Sequence, residues 1–171
     1  MKIKIIIIVG LLLIAACSSK ENLKQNLTIS ALVKEFDMDM KYSDTKEIFF
    51  EKYGINVISD GIIEGKNMIR TEFSAGKINN HNFNRLYAQF LNNKLYFMSL
   101  QIWNDSTQLD DVYKNLIELT KKEFNEPNEK NISDMNWKIR NEKSDITNLL
   151  LSIDPESKKI IIISLGYYNE K

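Results

Sequence analysis

The chain contains a single cysteine, Cys17, and a single histidine, His81. One thiol cannot close an intramolecular disulfide, and neither residue can belong to a Cys or His cluster around zinc. Stability must come from packing, and among metal sites only an all-carboxylate one for a hard cation stays open. Charge of one sign is also scarce: 23 Lys plus Arg face 23 Asp plus Glu. A chain without a clustered basic surplus gains little from displacing counterions, so nucleic-acid binding is set aside. The six glycines never take the P-loop or dinucleotide spacing, and no Gly-x-Ser-x-Gly elbow occurs. No cofactor is expected.

Hydrophobic residues make up 43% and aromatics 10% of the 171 residues, which predicts one globular domain with a real core rather than a disordered chain. The start of the chain is different. Lys2 and Lys4 precede an apolar run over residues 5–16 that only Gly10 interrupts, and the run ends at Cys17, followed by Ser18 and Ser19. A run of about a dozen residues is too short to cross a bilayer as a helix and reads as an export signal.

Ile14, Ala15 and Ala16 stand just before Cys17: an aliphatic residue, two small ones, then the cysteine. Here the sequence resembles the bacterial lipoprotein family, whose lipobox has this pattern. The resemblance covers about the first 20 residues. It implies that residues 1–16 are a signal peptide cut before Cys17, that the thiol carries diacylglycerol and that the new amino terminus is acylated. More than one acyl chain anchors a protein stably, at roughly 0.8 kcal/mol per buried methylene. In Gram-negative members an aspartate after the cysteine retains the protein in the inner membrane. Ser18 stands there instead, which implies the outer membrane, facing the periplasm. Lys20-Glu21 loosely resembles a surface-export tag, so display at the cell surface is the alternative address. An ordinary secretory signal that leaves Cys17 a free thiol is the alternative to the lipobox.

Residues 17–25 read as the lipidated cysteine and a flexible tether, and 26–171 as a single α+β domain. An apolar cluster at 27–36 fits either a short strand or one helical arm, of which the helix is preferred. Ser43 or Asp44 is the expected cap of a second short helix that carries Ile48, Phe49 and Tyr53 and stops at Gly54. Short strand-like runs follow, with Asp60-Gly61 as a turn between them, and residues 74–84 read as the longest loop. The clearest hairpin joins 83–91 to 95–103 through Asn92-Asn93-Lys94. Alternation places Tyr96, Met98, Leu100 and Ile102 on one face of its second strand and Leu95, Phe97 and Trp103 on the other. The best helix is capped around residues 104–107, carries Leu109, Val112, Tyr113, Leu116, Leu119 and Phe124, and ends before Pro127. Three strands close the chain: Met135, Trp137 and Ile139; then 146–153; then 160–165, whose unbroken apolar run predicts a central strand buried on both faces. The expected fold is an antiparallel sheet of about six or seven strands with one long and one or two short helices packed on it. The two halves share an outline of capped helix followed by strands, so a duplicated helix-plus-sheet unit is one reading, although their residues match poorly.

Chemistry is sparse. Asp110 and Asp111 are a candidate acid–base pair, but neighbours on a helix point about 100° apart and acids suit its first turn. His81 sits in an Asn-rich stretch, where a catalytic role has little support. Asn125, Glu126, Asn128 and Glu129, with Asp134, form an oxygen-rich run without the spacing of a calcium hand. Tyr87, Phe90, Tyr96, Phe97, Trp103 and Trp137 make an aromatic-rich sheet that is mostly core, with one or two rings left for a binding face. Lipidation at Cys17 is the one site expected. With the lipobox and no catalytic constellation, the expectation is a non-catalytic binding or structural protein of the envelope. Its partners would be the membrane, through the anchor, and another envelope or secreted protein, with oligomeric state open. The alternatives are a hydrolase or transferase using unrecognised carboxylates, and an immunity or inhibitor protein.

Overall fold

The computed structural model describes residues 24–63, 67–103, 108–131, 133–140, 146–154 and 159–167. Along them run α1 (Ile29–Glu35), α2 (Tyr42–Tyr53), β1 (Val57–Ile63), β2 (Met68–Phe73), β3 (Gly76–Ile78), β4 (His81–Phe83), β5 (Arg85–Leu91) and β6 (Lys94–Trp103). Then come α3 (Leu109–Phe124), β7 (Glu129–Lys130), β8 (Asp134–Arg140), β9 (Ile146–Ile153) and β10 (Ile160–Tyr167). The fold is α+β. Eight strands form one antiparallel sheet in the order β1-β2-β5-β6-β10-β9-β8-β7, and β3 pairs with β4 separately. No helix among the described residues is long and apolar enough to cross a membrane.

The strand order reads as two meanders joined back to back. Each half sends a helix into four sheet strands taken in chain order, and the last strands, β6 and β10, pair antiparallel from Ile160 with Trp103 to Gly166 with Phe97. This repeats the helix-plus-sheet outline, with α1 and the β3/β4 hairpin as additions to the first half. The sheet is wider than six or seven strands partly because Glu129–Lys130 pairs at its edge. Elsewhere two expected runs merge. Asp60-Gly61 makes no turn, since Asp60 pairs with Thr71 and Gly61 with Arg70 inside one continuous strand, β1.

Helix starts and stops follow local chemistry. Thr28 caps α1 by accepting the Ala31 N–H at 3.0 Å. Helix α2 begins at Tyr42 without a side-chain cap, so Ser43 and Asp44 lie inside its first turn rather than before it. It ends at Gly54, whose φ of 68° suits a residue without Cβ. Helix α3 also lacks a side-chain cap at Gln108. The expected cap at 104–107 and the turn at 141–144 lie outside the described residues.

Register sorts the side chains into two faces. Leu86, Ala88 and Phe90 of β5 pair with Leu100, Met98 and Leu95 of β6, and all six are buried. Leu95 joins this face because the pairing skips Tyr96, a one-residue bulge that shifts the simple alternation expected for β6. The same face continues through Ile161, Ile163 and Leu165 of β10 to Leu149 and Leu151 of β9 and Trp137 of β8. All three helices pack here. Phe49 of α2 stacks on Phe36 at 4.3 Å and meets Phe73 of β2 at 4.7 Å. Tyr113 of α3 gives its hydroxyl proton to the carbonyls of Ser133 and Leu151. The Trp137 indole N–H reaches the Asn125 carbonyl, where α3 ends, at 3.0 Å.

The stretch expected to be a long loop holds β3 and β4. Asn79 and Asn80, both at positive φ, turn the chain between them, while Ile78 and Phe83 are fully buried. Strand β10 is central, as its composition predicts, but on the side away from the helices only Ser164 is buried. Ile162, on that side, stays half-exposed.

Candidate binding surface

The opposite face of the sheet carries the alternate residue of every pair. Arg70, Tyr87, Arg85, Gln101, Phe97 and Trp103 stand on its first half, and Ile162, Leu150, Asn148, Lys138, Asn136 and Asp134 on its second. No described helix packs on this side. Seven inter-strand spacings of about 4.8 Å make the face about 34 Å wide, and strands of seven residues make it about 23 Å long. The product, roughly 800 Å², matches what one partner contributes to a protein–protein interface of standard size.

Along its middle the face is low. Ser99 and Ser164 stand opposite each other on adjacent strands, with the Ser164 hydroxyl 3.4 Å from that of Ser99, and Ser152 lies on the next strand one step along, opposite Ile162; all three are nearly covered by their neighbours. Gly166 adds to this floor, with the Phe97 ring 3.4 Å from where its Cβ would stand, at van der Waals contact. Beside the floor rises a ladder of rings and guanidinium groups. Arg70 sits 4.4 Å over the Tyr87 ring and Arg85 4.6 Å over the Trp103 ring. Arg85 also donates to the Tyr87 hydroxyl at 3.0 Å, and the Trp103 indole N–H donates to Gln101 at 3.2 Å. Stacking holds these long side chains in place before anything binds, which lowers the ordering cost of recognition. Arginine and aromatic rings are also the groups that dominate interface energetics.

Of the aromatics expected in the sheet, Phe90 and Trp137 are core, whereas Tyr87, Phe97 and Trp103 belong to the open face and Tyr96 projects at the bulge. The other candidates are dispersed. His81 lies on β4 with Nε2 3.1 Å from Asn115, and Asp110 and Asp111 are exposed in the first turn of α3. Glu126 sits between Lys121 and Lys130, and Glu129 lies 3.6 Å from Lys138, so two of the three acids of that run are matched by lysines, while Asp134 accepts from Ser133. The two lysines beside Glu126 hold its carboxyl below the ordinary range, the Lys130 hydrogen bond most. No group of three or more His, Cys, Asp or Glu that suits a metal ion occurs among the described residues. Cys17 lies outside them.

No protein-family model matches the chain, and no curated protein or solved structure matches it either.

The arginine–aromatic ladder escaped sequence reasoning because its members come from β2, β5 and β6. Its only local trace is Arg85 and Tyr87, two residues apart on one strand and therefore on one face.

A second polar cluster lies at the sheet margin. Thr71, fully buried, donates to Asp60 at 2.7 Å, the Tyr42 hydroxyl donates to the other Asp60 oxygen, and Lys46 donates to Tyr42 at 3.0 Å. The hydrogen bond to Tyr42 raises the Lys46 amine above its ordinary range. These contacts tie the start of α2 to β1.

Proposed function

We propose that this is a lipid-anchored protein of the bacterial envelope, held through Cys17, that binds rather than catalyses. It receives another envelope or secreted protein on the open face of its sheet. The observation that carries this reading is the one-sided covering: every described helix lies on one face, and the other presents a pre-stacked ladder of Arg70, Tyr87, Arg85 and Trp103 beside a floor of serines. Five of the acids that catalysis would call on, Glu35, Glu118, Glu123, Glu126 and Glu129, each sit against a lysine. The lipobox supports the anchor, and Ser18 after the cysteine supports the outer membrane, facing the periplasm.

Two measurements test the two parts. Palmitate labelling of cells should mark the wild-type chain and not Cys17→Ala, and equal labelling of both would remove the anchor. Affinity capture from envelope extracts should recover a partner that Arg85→Glu with Trp103→Ala loses by at least tenfold. Undiminished capture by that double variant would move the binding site off this face.

A further inference from the structure

The two edges of the sheet differ. Strand β7 is two residues long, both charged and exposed, with Lys130 bonded to Glu126 and Pro127 just before it. Short length, charge, proline, bulges and inward-pointing charges are the usual devices that keep an edge from adding a further strand. Strand β7 combines the first three, whereas β1 has a bulge at Ile58 and the inward-held Asp60 but neither short length nor an outward charge. Strand β1 has seven residues and contains no lysine, arginine or proline. Ile62 is 80% exposed and Ile58 63%, the two largest exposures of big apolar side chains among the described residues. Its one charge, Asp60, is engaged within its own subunit by Thr71 and Tyr42. The bulge at Ile58 offsets this strand against β2, and its side chain stays exposed.

The residues of β1 also read alike from either end. Val57-Ile58, then Ser59-Asp60-Gly61, then Ile62-Ile63 is two apolar, three polar or small, two apolar. An isologous contact requires such self-complementarity, because the same patch must serve both sides of a two-fold axis. We infer that β1 is a pairing edge for a second copy of this chain, the two β1 strands running antiparallel with Asp60 at the axis. In that register Ile58 lies opposite the partner's Ile62 and Ser59 opposite the partner's Gly61, which covers the exposed isoleucines with each other. The two central acids are each hydrogen-bonded in their own subunit and each have a lysine, Lys46, beside the tyrosine that holds them. The pairing joins two sheets into one of twice the width and leaves both open faces free, so it is independent of the binding reading above.

Disulfide trapping tests it on the full chain in its own membrane. Ile58→Cys together with Ile62→Cys places two thiols about 13 Å apart within one strand, too far to bridge internally, but opposite one another across the axis. A mild oxidant should produce a species of twice the chain mass, several-fold more abundant than with either substitution alone. Light scattering of the detergent-purified chain should give the dimer mass. Ile62→Lys should weaken the dimer by at least tenfold, while a thermal transition equal to wild type at a dilution where both are monomeric shows that the domain still folds. A monomeric mass without the trapped species, trapping to a different protein instead, or a dimer untouched by Ile62→Lys would each overturn the proposal.

Discussion

In the first half of the molecule Phe49 of α2 stacks on Phe36 and meets Phe73 at a tilt, so three rings fill the space between two short helices and the sheet. In the second, α3 lays Leu109, Leu116 and Ile117 over aliphatic strands, with Trp137 as the one large ring of β8. Both halves use the same order of helix and strands, so layout does not dictate filling. Rings bury much area from few positions and let α1 and α2 be brief. The aliphatic half needs a longer amphipathic helix to reach the same closure. The halves also end differently, one at an apolar edge and one at a charged stub.

The largest effect should come from emptying either centre. Phe49→Ala and Trp137→Ala should each destabilise the fold by about 3–5 kcal/mol, measured by chemical denaturation. The buried residues of both halves form one cluster, so a single transition is expected in both variants. Two separated transitions would show that the halves melt independently and would break the comparison at its root.

Each half also buries a tyrosine, and alkali should find both. Burial, and then the charge of Asp134, push the Tyr113 hydroxyl up to about 12, against an ordinary 10.0. Burial first, then the hydrogen bond to Glu35 and its charge, push Tyr53 up as well. A raised folded pKa means that the unfolded chain ionises first, so the contribution is complete below pH 10 and is lost as pH rises towards 12. Tyr113→Phe should flatten stability over that window by about 2 kcal/mol, read from urea titrations at several pH values. An equally steep loss in the variant would assign the alkaline limb to the first half.

Thr71→Val removes the buried hydroxyl that helps tie β1 to α2 through Asp60, and should cost about 1 kcal/mol by thermal unfolding. Smallest is Ile62→Lys, which at this exposure should leave the stability of the monomer, read at a dilution where no dimer forms, within about 0.5 kcal/mol. A larger loss would mean that β1 leans on the core more than the charged edge does.

Much of the fold was legible in the sequence, for identifiable reasons. The pattern Leu109, Val112, Tyr113, Leu116 marks α3, and Asn92-Asn93, both at positive φ, mark the main hairpin. Asn79-Asn80 carried the same signal, yet only Ile78 and Phe83 flank it, too few apolar residues to distinguish two three-residue strands from a loop. The bulge at Tyr96 was invisible because β6 is apolar on both sides, so either phase fits its alternation. For the same reason the bare side of the sheet could not be told from the covered one. Helix placement decides it, and that depends on contacts far apart in sequence.

Where the N-terminal segment enters the fold also has a mechanical meaning. Lys24 donates to the carbonyls of Phe50 and Glu51, the Gln25 N–H to that of Lys52, and Leu27 bridges Ile78, whose neighbour Asn79 donates back to Leu27. Traction on that segment therefore loads the last turn of α2 and the β3/β4 hairpin before it reaches the eight-stranded sheet. Those few bonds act as a strain relief, and they should yield first while the sheet and its open face keep their shape.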